Sequence, residues 1–215
     1  MTVKCSFWTE KCADKKSLRR VIMKKGILIV GIGLLLLSGC AFGTRRPLLT
    51  YTTALPPAPK NNITVTVAPF KDQRVWSKEK LGDVRNGYGM RCADIIPQNS
   101  VTDWLRDAFR KELVNAGYTI YEDAKADTDL EGTALEVYVN AYMSYGGKIK
   151  LNITLKKDDK AILSKEYYTE KNCGLAWAST EESFAKTIEM TLQEIMKKII
   201  PDINGVLLKN EAKAQ

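Results

Sequence analysis

Hydrophobic and polar positions alternate along much of this chain, with a period that changes from two to nearly four and back. In ITVTVAPF (63–70), Ile63, Val65 and Val67 face one way and Thr64 and Thr66 the other. This predicts a half-buried strand stopped by Pro69. Residues 71–99 are charged, carry glycines, show no period and read as a long loop. From Ser100 the spacing turns helical: Val101, Trp104, Leu105, Ala108, Phe109 and Leu113 form one stripe. Ser100 and Asp103 resemble a capping box, and Gly117 is the expected stop. A short strand is predicted over 118–121, before an acidic, turn-rich stretch. Residues 130–143 then alternate, with Leu135, Val137, Val139 and Ala141 on one side. Residues 148–156 alternate more cleanly, Ile149, Leu151, Ile153 and Leu155 opposing Lys148, Lys150, Asn152, Thr154 and Lys156. Residues 157–160 make a turn into a partner strand over 161–170. Ser179 and Glu182 open a second amphipathic helix, with Phe184, Ile188, Leu192, Ile195 and Ile199 on one face and Pro201 as its stop.

The predicted order is strand, helix, four strands, helix. Helices with one apolar stripe and strands with one apolar face are satisfied together by a two-layer α+β sandwich. Two amphipathic helices would pack on one face of a four- to five-stranded sheet, leaving the other face to water or a partner.

One stretch has no period at all. Residues 27–37 are apolar throughout, preceded by Met23-Lys24-Lys25 and followed by Ser38, Gly39 and Cys40. As a helix this run covers about 16 Å, roughly half the hydrocarbon core of a bilayer. A short apolar run between a basic start and small residues is the layout of a secretory signal. Its end, LSGC (37–40), resembles the lipobox of bacterial lipoproteins. That resemblance implies cleavage between Gly39 and Cys40 and acylation of the Cys40 thiol, the only non-protein group expected. The alternative is a buried core helix ending at Ser38-Gly39. A start at Met23 would make residues 1–22 an upstream extension and 23–39 the signal peptide. Arg19-Arg20 loosely resembles a twin-arginine export motif, the rival explanation for the prelude. Residues 40–60 contain Pro47, Pro56, Pro57 and Pro59 and no helical period. They read as a lipidated cysteine and a tether with a reach of up to about 65 Å, partly docked through Leu48, Leu49 and Tyr51. The folded domain is expected over 61–208, with a polar tail at 209–215.

Charge changes the picture less than its total suggests. The net charge is +8, from 33 basic and 25 acidic residues. Eight of the bases and two of the acids lie in 1–39, leaving 25 against 23 for the rest. A nearly neutral body gives no reason to expect a nucleic-acid partner. The chain has no histidine, which removes Ser-His-Asp and Cys-His catalysis and the commonest metal ligand. Asp127/Asp129 and Asp158/Asp159 are adjacent acids in turn segments and read as solvated turn residues. Gly87-x-Gly89 follows no predicted strand, so a phosphate loop fails on context. No catalytic residue, metal site or cofactor is expected, and the chain is not expected to be an enzyme.

Three candidate binding features remain. The row Lys148, Lys150 and Lys156 could meet anionic headgroups, or could be a solvated face that discourages edge pairing. Tyr138 and Tyr142 lie opposite the apolar side of their strand and could form an aromatic contact patch, though exposed strand tyrosines are ordinary. Cys92 and Cys173 are the pair left once Cys5 and Cys12 go with the leader and Cys40 takes lipid. In an oxidising compartment they are expected to form a disulfide, with two free thiols as the alternative.

Several short motifs together resemble the YajG family of bacterial lipoproteins. They are the lipobox, the Pro-rich lead into a strand, Asp72-Gln73-Arg74 after it, Ala116-Gly117-Tyr118 closing the first helix, and an aromatic strand running into a long helix. The chain departs from the family in its two extra cysteines and a longer region after Arg74. The resemblance implies an outer-membrane lipoprotein without known enzymatic activity, and similar small lipoproteins serve as accessory subunits of envelope machines. Ala41 rather than aspartate after Cys40 fits transfer to the outer membrane; the inner membrane is the alternative. The expected role is a lipid-anchored, periplasm-facing protein that binds an envelope protein partner. The alternative is a lipid- or glycolipid-handling protein, using the lysine row and an apolar groove between sheet and helices.

Overall fold

The computed structural model describes residues 43–75, 77–121, 126–176 and 179–212, with side chains through Lys209. Gly39 and Cys40, with the whole predicted leader, lie outside the described residues. The compact unit Thr44–Gln215 holds every element below. In order these are β1 (Thr64–Val67), β2 (Lys71–Asp72), β3 (Gly82–Arg85), β4 (Arg91–Ile95), α1 (Val101–Asn115), β5 (Thr119–Tyr121), β6 (Thr128–Tyr142), β7 (Ser144–Lys157), β8 (Lys160–Leu175) and α2 (Glu181–Ala212).

The strands build one curled, mixed, eight-stranded sheet, a half-barrel. β6, β7 and β8 form its antiparallel backbone. Along the other side of β6 run β1, β2 and β3, all parallel to it, so that three short segments share one long neighbour. β5 extends the sheet beside β1 at one end, and β4 extends it beside β3 at the other. The expected two-layer sandwich on a four- to five-stranded sheet is therefore incorrect. The stretch read as a loop supplies β2, β3 and β4, and four register shifts, at Val84/Arg85, Ala134/Glu136, Ser144/Gly146 and Leu155/Lys156, interrupt the ladder. Bulges increase local twist and bend long strands, which curls a sheet instead of leaving it as a flat layer.

The irregularity in β6 also corrects its inward face. Leu130, Gly132 and Ala134 are buried before it, and Val137, Val139 and Ala141 after it, so inward positions change from even to odd. Leu135 sits at the change and is only half-buried, contrary to its expected place in the core. β7 keeps the predicted face: Ile149, Leu151, Ile153 and Leu155 are all fully buried. The turn after it has Asp158 and Asp159 at φ 53° and 60°, the left-handed pair that a tight type I′ hairpin turn needs.

α1 buries the predicted stripe, and Ser100 Oγ accepts from the Asp103 N–H at 3.2 Å as its cap. Its end is Ala116-Gly117-Tyr118. Gly117 has φ 91°, and a Cβ there would lie 2.2 Å from the Pro59 carbonyl oxygen. α2 differs from expectation at both ends. Its cap is Thr180, whose Oγ1 accepts from the Ser183 N–H, rather than Ser179. It also runs through Pro201. Proline removes one backbone donor, but Ile199, Ile203 and Leu207 continue the buried stripe across it at four-residue spacing. α2 lies over β6, β7 and β8, and α1 over β1, β5 and β6; the two helices also touch each other. Gly147 permits the approach of α2, because a Cβ there would lie 2.2 Å from Thr191 Oγ1.

Residues 44–60 are bound to this body along their length. Arg45 pairs with Ile95 beside β4. Leu49 and Tyr51 are buried, as expected, whereas Leu48 is exposed. The Trp104 indole N–H donates to the Thr50 carbonyl at 2.8 Å. Glu112 Oε1, buried in α1, accepts from the Tyr51 hydroxyl and the Ala54 N–H, both at 2.5 Å. Thr52 bonds Glu189 and Gln193 on α2. The segment is thus a strap across both helices rather than a free tether.

Candidate functional site

The lysine row lies on the face of the sheet away from the helices, and each member has an acid within reach. Lys148 Nζ is 3.2 Å from Glu170, Lys150 is 2.9 Å from Glu166, and Lys156 is 2.5 Å from Glu131. The strand register places Lys148 directly opposite Glu170, which holds the Lys148 ammonium above its ordinary range. Tyr168 and then Lys148 hold the Glu170 carboxyl below its own. Such cross-strand pairs fix register and leave no cationic stripe for an anionic ligand.

Tyr138 is not part of an exposed aromatic patch. It is buried, and its hydroxyl donates to Asp83 Oδ2 at 3.1 Å on the neighbouring strand. Burial first, and then the Asp83 charge, push its phenol up to about 12. Tyr142 is exposed, at the end of β6. The two tyrosines therefore do different things.

Cys92 and Cys173 are free thiols, and the expected disulfide is absent. Cys92 is on β4 and Cys173 on β8, at opposite sides of a row that crosses β3, β6 and β7. Four strand spacings separate them, about 19 Å along the sheet at about 4.8 Å each. A disulfide needs Cα atoms within about 7 Å, and even a half-circle of that arc has a longer chord. The Cys92 thiol donates to the Met90 carbonyl at 3.4 Å. Cys173 packs at the margin of the core, and burial pushes its thiol up, away from the reactive thiolate.

The acids considered for chemistry have structural partners. Asp127 Oδ2 accepts from the Thr64 hydroxyl at 2.6 Å, joining the start of β6 to β1. In Asp72-Gln73-Arg74, the buried Arg74 guanidinium forks onto Asp72 and donates to the Lys78 and Lys80 carbonyls. Burial acts to raise the Asp72 carboxyl, but the Arg74 bonds outweigh it and hold it below the usual range. The motif clamps the chain between β2 and β3. Among the described residues no group of His, Cys, Asp and Glu is placed to hold a metal ion.

A groove of about 490 Å³ lies between β8 and α2, lined by Tyr168, Thr169, Glu170, Lys171, Glu194 and Lys198. Its polar groups are engaged with each other: Lys171 bonds Glu194 at 3.1 Å, and Lys198 donates to the Tyr168 carbonyl and Thr169 hydroxyl. It is not the apolar groove a lipid carrier would use. The feature that periodicity did not single out is a set of exposed apolar side chains at one end of the sheet: Tyr88, Met90, Met143 and Leu175, beside Tyr142.

A docked strap following a lipobox-like leader, on a sheet without a transmembrane helix among the described residues, fits the class of bacterial lipoproteins. A family profile described as "Uncharacterized lipoprotein" matches residues 56–204, and the chain belongs to that family, the YajG family its motifs resemble. The chain is therefore a lipoprotein associated with the bacterial envelope. A crystal structure of a Xanthomonas campestris protein has the same fold, with TM-score 0.58 at 14% identity over 80% of this chain and 99% of that one. A lipoprotein from Neisseria meningitidis is more distant, with TM-score 0.34 at 11% identity over 63% of this chain and 99% of that one. No curated protein matches the sequence.

Proposed function

We propose that this lipoprotein is acylated on Cys40 and held on the periplasmic side of the outer membrane as a non-enzymatic accessory protein that binds an envelope partner. The observation that carries the reading is the strap. Residues 44–60 are taken up by Leu49, Tyr51 and the Glu112 and Glu189 bonds, so little chain remains between Cys40 and the fold. A domain anchored in this way works at the bilayer surface instead of ranging from it. The paired charges of the outer sheet face and the filled interior favour a protein contact over carriage of a lipid.

Cys40→Ser tests the anchor. The variant is expected to accumulate as unprocessed precursor and to incorporate no labelled palmitate, whereas the parent incorporates it and fractionates with the outer membrane. Continued maturation and acylation would overturn the reading. In the parent, crosslinking in intact envelopes followed by mass spectrometry is expected to give one dominant protein adduct; copurified lipid without an adduct would favour the carrier.

A further inference from the structure

We infer that the end of the sheet bearing Tyr88, Met90, Tyr142, Met143 and Leu175 is a lipid-contacting surface that rests in the bilayer interface beside the acyl anchor. The inference rests on the anchor reading above and adds which end of the domain meets the lipid.

The ladder brings these residues together. β3 and β4 close through a hairpin whose tip is 86–90, with Gly89 at φ 81° and its N–H bonded to the Asn86 carbonyl. Val84 at the end of β3 is registered with Ala141, and Tyr142 with Ser144 across the tight turn at Met143. Ser144 is registered with Leu175, and the Ala176 N–H donates to the Met143 carbonyl at 2.9 Å. A Cβ on Gly89 would lie 4.0 Å from the Tyr142 ring, so the hairpin tip and the β6–β7 turn are neighbours. Tyr88 is 90% exposed and Met143 71%, and Met90 and Leu175 are also mostly exposed. An isolated exposed apolar side chain needs no explanation, but five from three separate chain segments at one end do.

Charge is distributed to match. Over the whole chain 27% of residues are charged, yet 86–90, 137–147 and 172–176 contain none. These three segments can leave bulk water without stripping an ion of their own of its hydration. Moving back from the end, the first charged residues on β3, β4, β7 and β8 are Arg85, Arg91, Lys148 and Lys171, each paired with an acid: Asp83, Asp94, Glu170 and Glu194. An uncharged tip with tyrosines and methionines is the set of side chains a membrane interface accepts.

The strap begins toward the same side. Arg45 pairs with Ile95 in the parallel sense, so Thr44 lies toward the Arg91 end of β4, which is the hairpin end. Cys40 is five residues before Arg45, a reach of at most about 18 Å. That reach lets the acyl chains enter lipid beside this end of the fold.

The test uses the acylated mature protein on vesicles of phosphatidylethanolamine and phosphatidylglycerol carrying brominated acyl chains, which quench nearby tryptophan. Tyr88→Trp adds a reporter at the proposed surface. Val114→Trp adds one at the exposed end of α1, next to β5 and so at the opposite end of the sheet. Over the background of the native tryptophans, the Tyr88→Trp emission is expected to fall by about half or more, as for a side chain sunk into the headgroup boundary, with Val114→Trp unquenched. If the protein floats with the vesicles but neither reporter is quenched, the lipid-contacting end is wrong and the anchor stands. If the acylated protein does not float, both readings fall. If Tyr88→Asp dissociates a dimer in detergent and Tyr88→Trp is not quenched, the surface belongs to a second copy, and this inference is overturned.

Discussion

Tyr138 shows how one residue's environment outweighs its place in a pattern. Its polar-side position in the alternation suggested exposure, but Asp83 on β3 comes within 3.1 Å and the side chain is buried. Its folded pKa is about 12, above the ordinary 10. Between those values an unfolded chain has lost the phenol proton and the folded chain still holds it. Stability therefore falls as pH rises through this window, and below pH 10 the contribution is fully present. Urea titrations from pH 9 to 12 should show Tyr138→Phe with a slope shallower by about one proton than the parent. An unchanged slope would mean that Tyr138 titrates normally in the fold. The cysteines make a second residue-scale test. Denatured, non-reduced protein beginning at Thr44 should present two reactive thiols, Cys92 and Cys173, because they sit at opposite sides of the sheet. One or no thiol in a monomer would contradict the strand order itself.

Among the elements, the seam between α2 and β7 depends on Gly147. A Cβ there would press on Thr191 Oγ1 at 2.2 Å, while the Thr191 Cβ and the Thr187 carbonyl lie at 3.2 and 3.4 Å. Gly147→Ala should cost about 1–3 kcal/mol by overpacking, read from the denaturation midpoint. Adding Thr191→Ala removes the nearest atom and should recover part of that loss, giving a measurable coupling in a double-mutant cycle. Additive losses would show that α2 has room to shift. The same elements show which signals were legible. α1, α2 and β7 have long, regular apolar periods, and the sequence placed each on its correct buried face. β3 and β4 are too short to display a period, although Asn86-Gly87 at their junction is a hairpin signal and Gly89 supplies the left-handed position a three-residue loop uses. Leu135 was misplaced because a bulge in the ladder reverses alternation without changing composition. Pro201 failed to stop α2 because burial of Ile203 and Leu207 outweighed one lost backbone bond. The lysine row was legible as a row; its acidic partners lie on other strands and appear only when register is known.

For the molecule as a whole, the question is whether 44–60 belongs to the fold or merely leads to it. Prolines and lack of period suggested a spacer, because an extended strap and a free tether have the same composition. The distinction lies in what the segment covers. Leu49 and Tyr51 are both buried, and each should contribute about 1.5–3 kcal/mol by leaving water. Tyr51 also donates to a carboxylate inside the protein, and burial followed by that bond pushes its phenol up. Tyr51→Phe keeps the ring but leaves the buried Glu112 with one donor fewer, which should cost about 1–3 kcal/mol. A chain starting at Asn61 loses both anchors and the bonds to Glu189 and Gln193, so its destabilisation should exceed that of Tyr51→Phe. Urea unfolding followed by far-ultraviolet circular dichroism measures both. If the shortened chain unfolds at the same midpoint as the mature protein, residues 44–60 are a spacer and the domain is free to stand off from its anchor. If it unfolds earlier, residues 44–60 are part of the fold and not only its lead.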